Sequence, residues 1–221
     1  MRIVDALGLP FPSVVAVVGC GGKTSLITQV ANSCPGKRVL VSPTAKMFPL
    51  HLENADCHGI LNPKTGKLEA LPPGELAELI AGYDITLLEA DGSRLLPCKG
   101  WMDWEPVVPS YCTHTVGIVT MNALGLAADE TCVHNFPQFL ALTGLQQGEA
   151  ITTEALRAMV CAPGGMFKNS AGNRILFVNQ AEDAKTAEIA ARFLLSVKES
   201  FPGMFTRLLI GSVNNDICQE V

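Results

Sequence analysis

A glycine-rich turn contains the residues of this chain whose types and spacing best suit chemistry. It reads Gly19-Cys20-Gly21-Gly22-Lys23-Thr24 and lies between the apolar run Ser13–Val18 and a helical stretch that opens at Ser25. Glycines let backbone N–H groups approach phosphate oxygens closely, and a helix N-terminus adds partial positive charge. A lysine neutralises phosphate charge, and a threonine hydroxyl ligates Mg²⁺. The turn therefore predicts a binding site for the Mg²⁺ complex of a nucleoside triphosphate.

The spacing of this turn is shorter than that of the common phosphate-binding loop. The common pattern places four residues between its first glycine and the Gly-Lys pair, and Val17 occupies that first position here. The loop Gly19-x-x-Gly22-Lys23-Thr24 is two residues shorter, as it is in muramyl ligases. That likeness keeps an ATP-dependent ligase or kinase open beside a hydrolase. A glycine turn that binds no ligand is the structural alternative.

A second group of polar residues follows the apolar segment Ile85–Glu89. Glu89-Ala90-Asp91-Gly92-Ser93-Arg94 places two carboxylates, a glycine and a cation in one turn. Ligands of open α/β sheets bind beyond the carboxyl ends of the strands, so we expect this turn beside the phosphate loop. Either carboxylate would hold Mg²⁺ or orient a water molecule, and Arg94 would meet phosphate oxygens; an exposed acidic turn is the alternative. The predicted catalytic residues are Lys23, Glu89 and Asp91, and the predicted metal ligands are Thr24, Glu89 and Asp91.

Two weaker elements extend the predicted nucleotide site. Thr44 and Lys46 follow the apolar segment Arg38–Ser42 and offer a hydroxyl and a cation at the same edge of the sheet. Asn179-Gln180-Ala181-Glu182 stands where guanine-reading GTPases place Asn-Lys-x-Asp, with Glu182 or Asp183 as acceptors for guanine N–H groups. We therefore expect GTP to bind at least as well as ATP. The predicted nucleotide-binding residues are Gly19, Cys20, Gly21, Gly22, Lys23, Thr24, Ser25, Thr44, Lys46, Gly92, Arg94 and Asn179.

Composition excludes several classes of protein. A formal net charge of −5 over 221 residues argues against sequence-independent binding to nucleic acid, which requires clustered basic residues. No apolar run reaches the roughly 20 residues that a membrane-spanning helix needs, and Pro10 and Pro12 interrupt the N-terminal segment. We expect no membrane partner and a cytoplasmic location. A hydrophobic content of 48% with 17% charged residues indicates a well-cored globular protein, and we predict one domain over residues 1–221.

The eight cysteines are scattered and form no C-x-x-C pair, so most are interpreted as reduced thiols that fill apolar space. Cys132-x-His134 has metal-ligand residue types, but no second half of a metal site accompanies it. Cys20 is different, because a thiol beside Lys23 and a helix N-terminus can have a lowered pKa. A redox or selenium-handling role for Cys20 stays open beside the simpler role of a small packing residue.

The order of apolar segments predicts the fold class. Apolar β-branched runs alternate with amphipathic stretches of helix length, which is typical of a parallel sheet covered on both faces. We predict an α/β fold: a single three-layer domain of the P-loop NTPase type, with a mostly parallel sheet and a small hairpin around residues 62–66. The predicted strands are Ser13–Val18, Arg38–Ser42, Ile85–Glu89, Thr115–Thr120, Arg174–Asn179 and Arg207–Ile210. The predicted helices are Thr24–Asn32, Pro73–Ala81, Pro137–Leu142, Thr152–Val160 and Glu182–Ser200.

Taken together, these segments resemble the YqeC-type accessory proteins of selenium-dependent molybdenum hydroxylases. The matching segments span most of the chain in the family's order, although the threonine-rich stretch after the second strand is thinned to three residues. The resemblance implies a role in maturing a molybdenum- and selenium-containing hydroxylase, with that enzyme or its cofactor-assembly proteins as partners. The segments are Val18–Thr24, Val41–Lys46, Glu89–Arg94, Leu96–Lys99, Glu105–Pro109, Val133–Phe136, Leu142–Gly144 and the turn at Asn179.

The segment Lys99–Pro109 carries both tryptophans of the chain, Trp101 and Trp104, together with Glu105. Exposed tryptophans often anchor partner proteins, so this segment is predicted as a lid or docking surface over the site. Packing in the core is the alternative. For the activity itself, three interpretations stay open: slow hydrolysis of the nucleotide, a ligase or kinase reaction, and a binding switch without turnover.

Overall fold

The computed structural model describes all 221 residues as a mixed α/β structure around one large sheet. The six helices are α1 (Ile3–Leu7), α2 (Lys23–Asn32), α3 (Pro73–Ile80), α4 (Phe136–Thr143), α5 (Thr153–Cys161) and α6 (Ala184–Ser200), and a 3₁₀ turn covers Met121–Ala123. The strands are β1 (Ser13–Gly19), β2 (Val39–Pro43), β3 (Lys46–Met47), β4 (Asp56–Cys57), β5 (Ile60–Asn62), β6 (Lys67–Glu69), β7 (Ile85–Glu89), β8 (Cys98–Lys99), β9 (His114–Thr120), β10 (Val133–His134), β11 (Asn173–Asn179), β12 (Arg207–Ser212) and β13 (Ile217–Glu220).

The large sheet has eight strands in the order β13-β12-β11-β9-β1-β7-β2-β4. Every pair of neighbours is parallel except β12 and β13, which are antiparallel. The six strands predicted from the sequence all lie in this sheet, and their ends agree with the prediction within two residues. The prediction of a mostly parallel α/β sheet is therefore confirmed. Because β1 is central, the loop that follows it opens at the middle of the carboxyl edge.

Apolar side chains cover both faces of the sheet. Alternate residues of β1 belong to different clusters: Ala16 and Val18 lie in a cluster of 32 buried residues, and Val15 and Val17 lie in one of 23. Helices α4, α5 and α6 contribute to the larger cluster, and α2 packs its Leu26 stripe into the smaller one. This arrangement gives three layers, as expected for strands that are apolar on both faces. That residues 1–221 form a single domain stays a prediction.

The predicted hairpin forms part of a small three-stranded sheet. Strands β5 and β6 pair antiparallel on either side of the turn at residues 63–66, and β3 pairs with the other edge of β6. The Asn62 side chain accepts from the N–H groups of Lys64 and Thr65, which is the local hydrogen bonding that favours a turn. Met47 and Leu68 are buried in the smaller cluster and fix this sheet against the main fold.

Two elements at the chain ends were not predicted from the sequence. The residues before Pro10 form the short helix α1, and the last residues form the antiparallel edge strand β13. They hold each other, because the Met1 ammonium donates to the carbonyl of Cys218 and the Asp216 carboxylate accepts from the N–H of Ile3. A five-residue helix is too short for its periodicity to be seen in a sequence. None of the six helices is long and apolar enough to cross a membrane.

Candidate functional site

A cavity of about 490 Å³ opens at the carboxyl ends of the central strands. The loop from β1 to α2 forms one wall, and the turn after β7 and the small sheet form others. This is the position that ligands occupy in open α/β sheets. The predicted residues that line the cavity are Gly21, Gly22, Lys23, Thr24, Ser25, Lys46, Glu89, Gly92 and Arg94. The predicted residues that do not line it are Gly19, Cys20, Thr44, Asp91 and Asn179.

The backbone of the glycine loop presents a row of free hydrogen-bond donors. The five successive N–H groups of residues 21–25 have no acceptor within the protein. No side chain caps the start of α2, whose N-cap residue is Gly22. Gly21 and Gly22 have φ of +91° and +125°, and a Cβ on either would come within 2.6 Å of the Thr120 or Asn179 side chain. Successive free amides at the start of a helix make an anion-binding concavity.

Lys23 and Asp91 form a buried ion pair behind this loop. Lys23 Nζ lies 3.1 Å from Asp91 Oδ1 and donates to the carbonyl of Gly19 at 2.6 Å. The Asp91 carboxylate also accepts from Gly19 N at 3.0 Å and from Trp101 Nε1 at 2.7 Å. Asp91 is completely buried, so its oxygens serve the protein rather than the cavity. We therefore interpret Asp91 as a residue that positions the loop, in contrast to the metal or catalytic role that the sequence suggested.

Both members of this pair are charged at neutral pH. Burial alone would raise the pKa of Asp91, but the charges of Lys23 and Lys99 and two N–H donors outweigh burial and lower it. Burial likewise disfavours the ammonium of Lys23, yet the Asp91 and Glu89 carboxylates overcome that effect and raise the pKa of Lys23. A lysine that stays charged beside free amides is suited to neutralise phosphate.

Glu89 and Thr24 provide oxygen atoms at the cavity wall. Thr24 Oγ1 donates to Glu89 Oε2 at 3.1 Å. Glu89 ends β7 and borders the cavity, although only 7% of it is exposed. Burial raises its pKa, and the charge of Lys23 and the hydroxyl of Thr24 act in the opposite direction. A hydroxyl and a carboxylate beside free backbone amides form the kind of oxygen donor set that Mg²⁺ uses.

Lys99 is the residue of this region that the sequence analysis missed. Its side chain is completely buried, and Nζ donates to the Gly92 carbonyl at 2.7 Å and to Glu105 Oε1 at 3.1 Å. Nζ also lies 3.7 Å from Asp91 Oδ2, so Asp91 stands between two lysines. Asn135 Nδ2 donates to the other oxygen of Glu105 at 3.1 Å. Nothing in the sequence around this lysine predicts that it is buried, because the segment has no hydrophobic periodicity. Its burial is explained by these tertiary partners.

The two tryptophans of the predicted lid lie in different surroundings. Trp101 is buried against Asp91 and belongs to the network around the loop. Trp104 is 67% exposed. Core packing therefore holds for the first tryptophan, and a docking role stays a prediction for the second.

Asn179 supports the glycine loop from beneath. Its Nδ2 donates to the Gly21 carbonyl at 2.7 Å, and its Oδ1 accepts from Val213 N at 2.9 Å. The next residue, Gln180, lines the cavity in its place, with Oε1 accepting from the side chains of Thr120 and Asn122. Both Nδ2 and Oδ1 of Asn179 have protein partners, and Gln180 lines this end of the cavity instead.

The other predicted polar residues have partners inside the fold. Thr44 donates to the Val107 carbonyl at 2.6 Å. Glu182 accepts from Ser212 Oγ at 2.8 Å, and Asp183 caps the start of α6. These contacts place all three away from the cavity walls.

Seven of the eight cysteines are buried, and Cys57 is partly exposed. Cys20 is completely buried, and burial raises the pKa of its thiol to about 12, although the positive charge of Lys23 acts to lower it. The alternative of a lowered thiol pKa in the loop is therefore wrong, and Cys20 fills space behind the loop. No group of three or more His, Cys, Asp or Glu side chains lies together in a way that could hold a metal ion, and Cys132-x-His134 has no further ligand near it.

Comparisons with known proteins match this region and most of the chain. The family model described as "YqeC protein" matches residues 15–62 and 58–137, which together are more than half of the chain. A protein of Escherichia coli strain K12 described as "Uncharacterized protein YqeC" is 28% identical over 223 residues, covering 89% of this chain and 87% of that protein. No solved structure matches. The matched family segments include the glycine loop, the turn after β7 and the Lys99 network.

Proposed function

This chain belongs to the YqeC protein family, and we propose that it is a nucleotide-binding accessory protein. In this proposal it binds the Mg²⁺ complex of a nucleoside triphosphate as P-loop NTPases do and hydrolyses it slowly. The observation that carries the proposal is the row of five free backbone N–H groups at the cavity wall beside Lys23. The maturation of a selenium-dependent molybdenum hydroxylase is the process that the family resemblance suggests for it.

The proposed roles of the residues follow from their positions. The amides of residues 21–25 bind phosphate oxygens, and Lys23 neutralises them after its ammonium turns from Asp91 toward the cavity. Lys99 stays beside Asp91 and remains its counter-charge when Lys23 moves. Thr24 and Glu89 would hold Mg²⁺, which supplies positive charge to the phosphate oxygens when it is bound.

The geometry also suggests how the nucleotide is oriented. The Thr24–Glu89 pair lies on the β7 side of the loop, so the metal and the terminal phosphates belong on that side. The nucleoside then extends in the opposite direction, toward the ends of β9 and β11. There the cavity is lined by Thr120, Asn122 and Gln180, which are neutral hydrogen-bonding side chains. We propose Gln180, rather than Asn179 or Glu182, as the residue that meets the base.

Slow turnover follows from the small number of groups that could activate water. Glu89 is the only carboxylate that lines the cavity, and in this proposal it is engaged with the metal. Asp91 has protein partners on both oxygens. A general base within reach of a water molecule typically contributes about 10²–10⁴ in rate. Without one, hydrolysis stays slow until another molecule completes the site.

A ligase or kinase is the second candidate function. One observation favours it: the cavity continues past Glu89 to a group of cationic and apolar side chains from the small sheet. An acceptor molecule bound there would be close to the terminal phosphate. In that case turnover would rise on addition of the acceptor.

A thermal-shift measurement with ATP and GTP, each with and without Mg²⁺, tests the proposal. A ligand at 100 times its Kd adds about 2.7 kcal/mol to the free energy of unfolding, which raises Tm by roughly 5–10 °C for a chain of this size. We expect this shift with Mg²⁺ and at least one nucleotide, and a shift of about half that size or less in Lys23→Ala at the same nucleotide concentration. Lys64→Ala controls for the loss of one lysine charge, since Lys64 is exposed at the tip of the hairpin. The shift of each variant is measured from its own ligand-free Tm, because Lys23→Ala also removes one partner of the buried pair with Asp91. An unshifted Tm with every nucleotide at millimolar concentration would contradict the proposal.

A further inference from the structure

The cavity has a second end that differs in chemistry from the first. Beyond Glu89 it is lined by Lys46 and Phe48 at β3, by Lys67 of β6 and by Arg94 of the turn after β7. Lys46 pairs with Glu69 at 2.9 Å, whereas Lys67 and Arg94 have no carboxylate partner. In a chain with a formal net charge of −5, this end therefore concentrates positive charge, and the nearest carboxylate of the cavity wall, Glu89, interacts with Lys67 only through space.

An exposed aromatic ring stands among these cations. Phe48 is 60% exposed, and Lys67 Nζ lies 4.8 Å from the centre of its ring. Leu95, next to Arg94, is 99% exposed and also lines the cavity. Arg94 and Leu95 have φ of +51° and +64°, a conformation that residues other than glycine seldom adopt and that is often found at functional sites. Cationic and apolar side chains are thus presented together to the same space.

The bound nucleotide would leave this end open. Its phosphates are bound by residues 21–25 and its metal by Thr24 and Glu89, and the nucleoside extends away toward Gln180. The space between Phe48 and Arg94 then lies past the terminal phosphate. The small sheet contributes to the wall of this space, with Lys67 in β6 and Phe48 directly after β3.

We propose that Lys67, Arg94 and Phe48 form a subsite for a second ligand, a small phosphate or carboxylate anion that carries a planar ring. The two cations bind the anionic group, and the ring packs on Phe48 and Leu95. The subsite rests on the proposed function, because the nucleotide is what places the terminal phosphate beside it. A ligand of this class would lie beside the terminal phosphate, which is where an acceptor in a ligase or kinase reaction must lie.

Isothermal titration calorimetry with phenyl phosphate tests the subsite, since this probe has both a dianionic phosphate and a ring. The protein is first titrated with a non-hydrolysable triphosphate analogue and Mg²⁺, and the loaded protein is then titrated with phenyl phosphate. We expect saturable binding that Lys67→Met weakens roughly tenfold, the loss of one charge-assisted interaction, and that Phe48→Ala weakens about threefold. Affinity for the triphosphate analogue should change less than affinity for phenyl phosphate in both variants, because Lys67 acts on Glu89 only through its charge and neither side chain contacts residues 21–25 in the proposal.

The chain offers a matched control for these two variants. Lys37 Nζ lies 4.2 Å from the ring centre of Phe11, near the amino ends of β2 and β1 and therefore at the opposite edge of the sheet. Lys37→Met and Phe11→Ala remove an equivalent pair there and should leave phenyl phosphate binding unchanged.

Three results would overturn the subsite. Phenyl phosphate affinity could be the same in Lys67→Met and the parent, or inorganic phosphate could bind as tightly as phenyl phosphate. The probe could also be displaced by the triphosphate analogue, which would place it on the glycine loop. If the analogue itself fails to bind, the proposed function is wrong, and titration of the nucleotide-free protein decides the subsite by its dependence on Lys67.

Discussion

Replacing Asp91 with asparagine tests how the glycine loop is held in place. The carboxylate accepts from Gly19 N and Trp101 Nε1 and lies 3.1 Å from Lys23 Nζ, with no exposure to solvent. Asparagine has the same size and keeps one oxygen acceptor. It removes the negative charge, however, and turns an NH₂ group toward neighbours that are themselves donors. Lys23 and Lys99 would then face each other across a neutral side chain.

The expected loss of stability is large for this reason. Removing one partner of a buried ion pair typically costs about 3–5 kcal/mol, because the other charge stays buried without compensation. The total free energy of unfolding of a protein is only about 5–15 kcal/mol. For a chain of this length, each kcal/mol lowers Tm by roughly 2–4 °C, so we expect Asp91→Asn to lower Tm by about 6–20 °C.

Urea and thermal unfolding, followed by tryptophan fluorescence, measure this loss, since Trp101 contacts Asp91 directly. Asp103→Asn is the matched control, because Asp103 is exposed and forms no ion pair. The pKa of Asp91 is lowered in the folded state, so its stabilisation is complete above the pKa of an unfolded aspartate and is lost as pH falls through the lower folded value. The difference between parent and Asp91→Asn should therefore be constant from pH 6 to 8. A loss below about 1 kcal/mol, within the range of exposed ion pairs, would refute this role for Asp91.

Three further predictions concern the cavity and the loop. Glu89→Gln should weaken Mg²⁺-dependent nucleotide binding at least about tenfold. Because burial raises the pKa of Glu89, the parent's affinity for the nucleotide should fall as pH drops through that raised value. Calorimetry should find no such fall in the variant. Iodoacetamide at pH 8 should modify the partly exposed Cys57 well before Cys20, whose thiol has a pKa of about 12, and equal rates by mass spectrometry would place Cys20 at the surface. GTP should bind at least as tightly as ATP in competition binding, and Gln180→Ala should change their ratio more than Glu182→Ala does, whereas a clear preference for ATP would favour the ligase-like alternative.

The sequence predicted the elements of the fold better than the directions of its side chains. Strand ends and the hairpin were predictable because β-branched runs, glycine and proline act locally. The approach of Thr24 to Glu89 was predictable as well, since parallel strands bring their carboxyl ends to one edge. Asp91 lies only two residues after Glu89, yet its side chain contacts Gly19 and does not enter the cavity. That direction depends on Trp101 and Lys99, which are distant in sequence from the loop.

The role of Asn179 shows the same limit. Its place at the end of β11 was predicted, and an asparagine there suggested base recognition. The fold instead uses both ends of its amide to join the glycine loop to the segment after β12. The burial of Lys99 was not predictable from the sequence, because it depends on how the fold brings the carboxylates of Asp91 and Glu105 to its ammonium. Such networks are set by tertiary contacts, which local patterns do not encode.

Calorimetric titration of a non-hydrolysable GTP analogue, with and without Mg²⁺, into the parent and Lys23→Ala proteins tests the proposed function most directly. We expect one saturable site in the parent that requires Mg²⁺. In Lys23→Ala the affinity should fall roughly tenfold to a hundredfold, the effect of losing one or more charge-assisted hydrogen bonds to phosphate. Equal affinity in the two proteins, or no binding by the parent of either this analogue or its ATP counterpart at millimolar concentration, would contradict the assignment of residues 19–25 as a phosphate-binding loop.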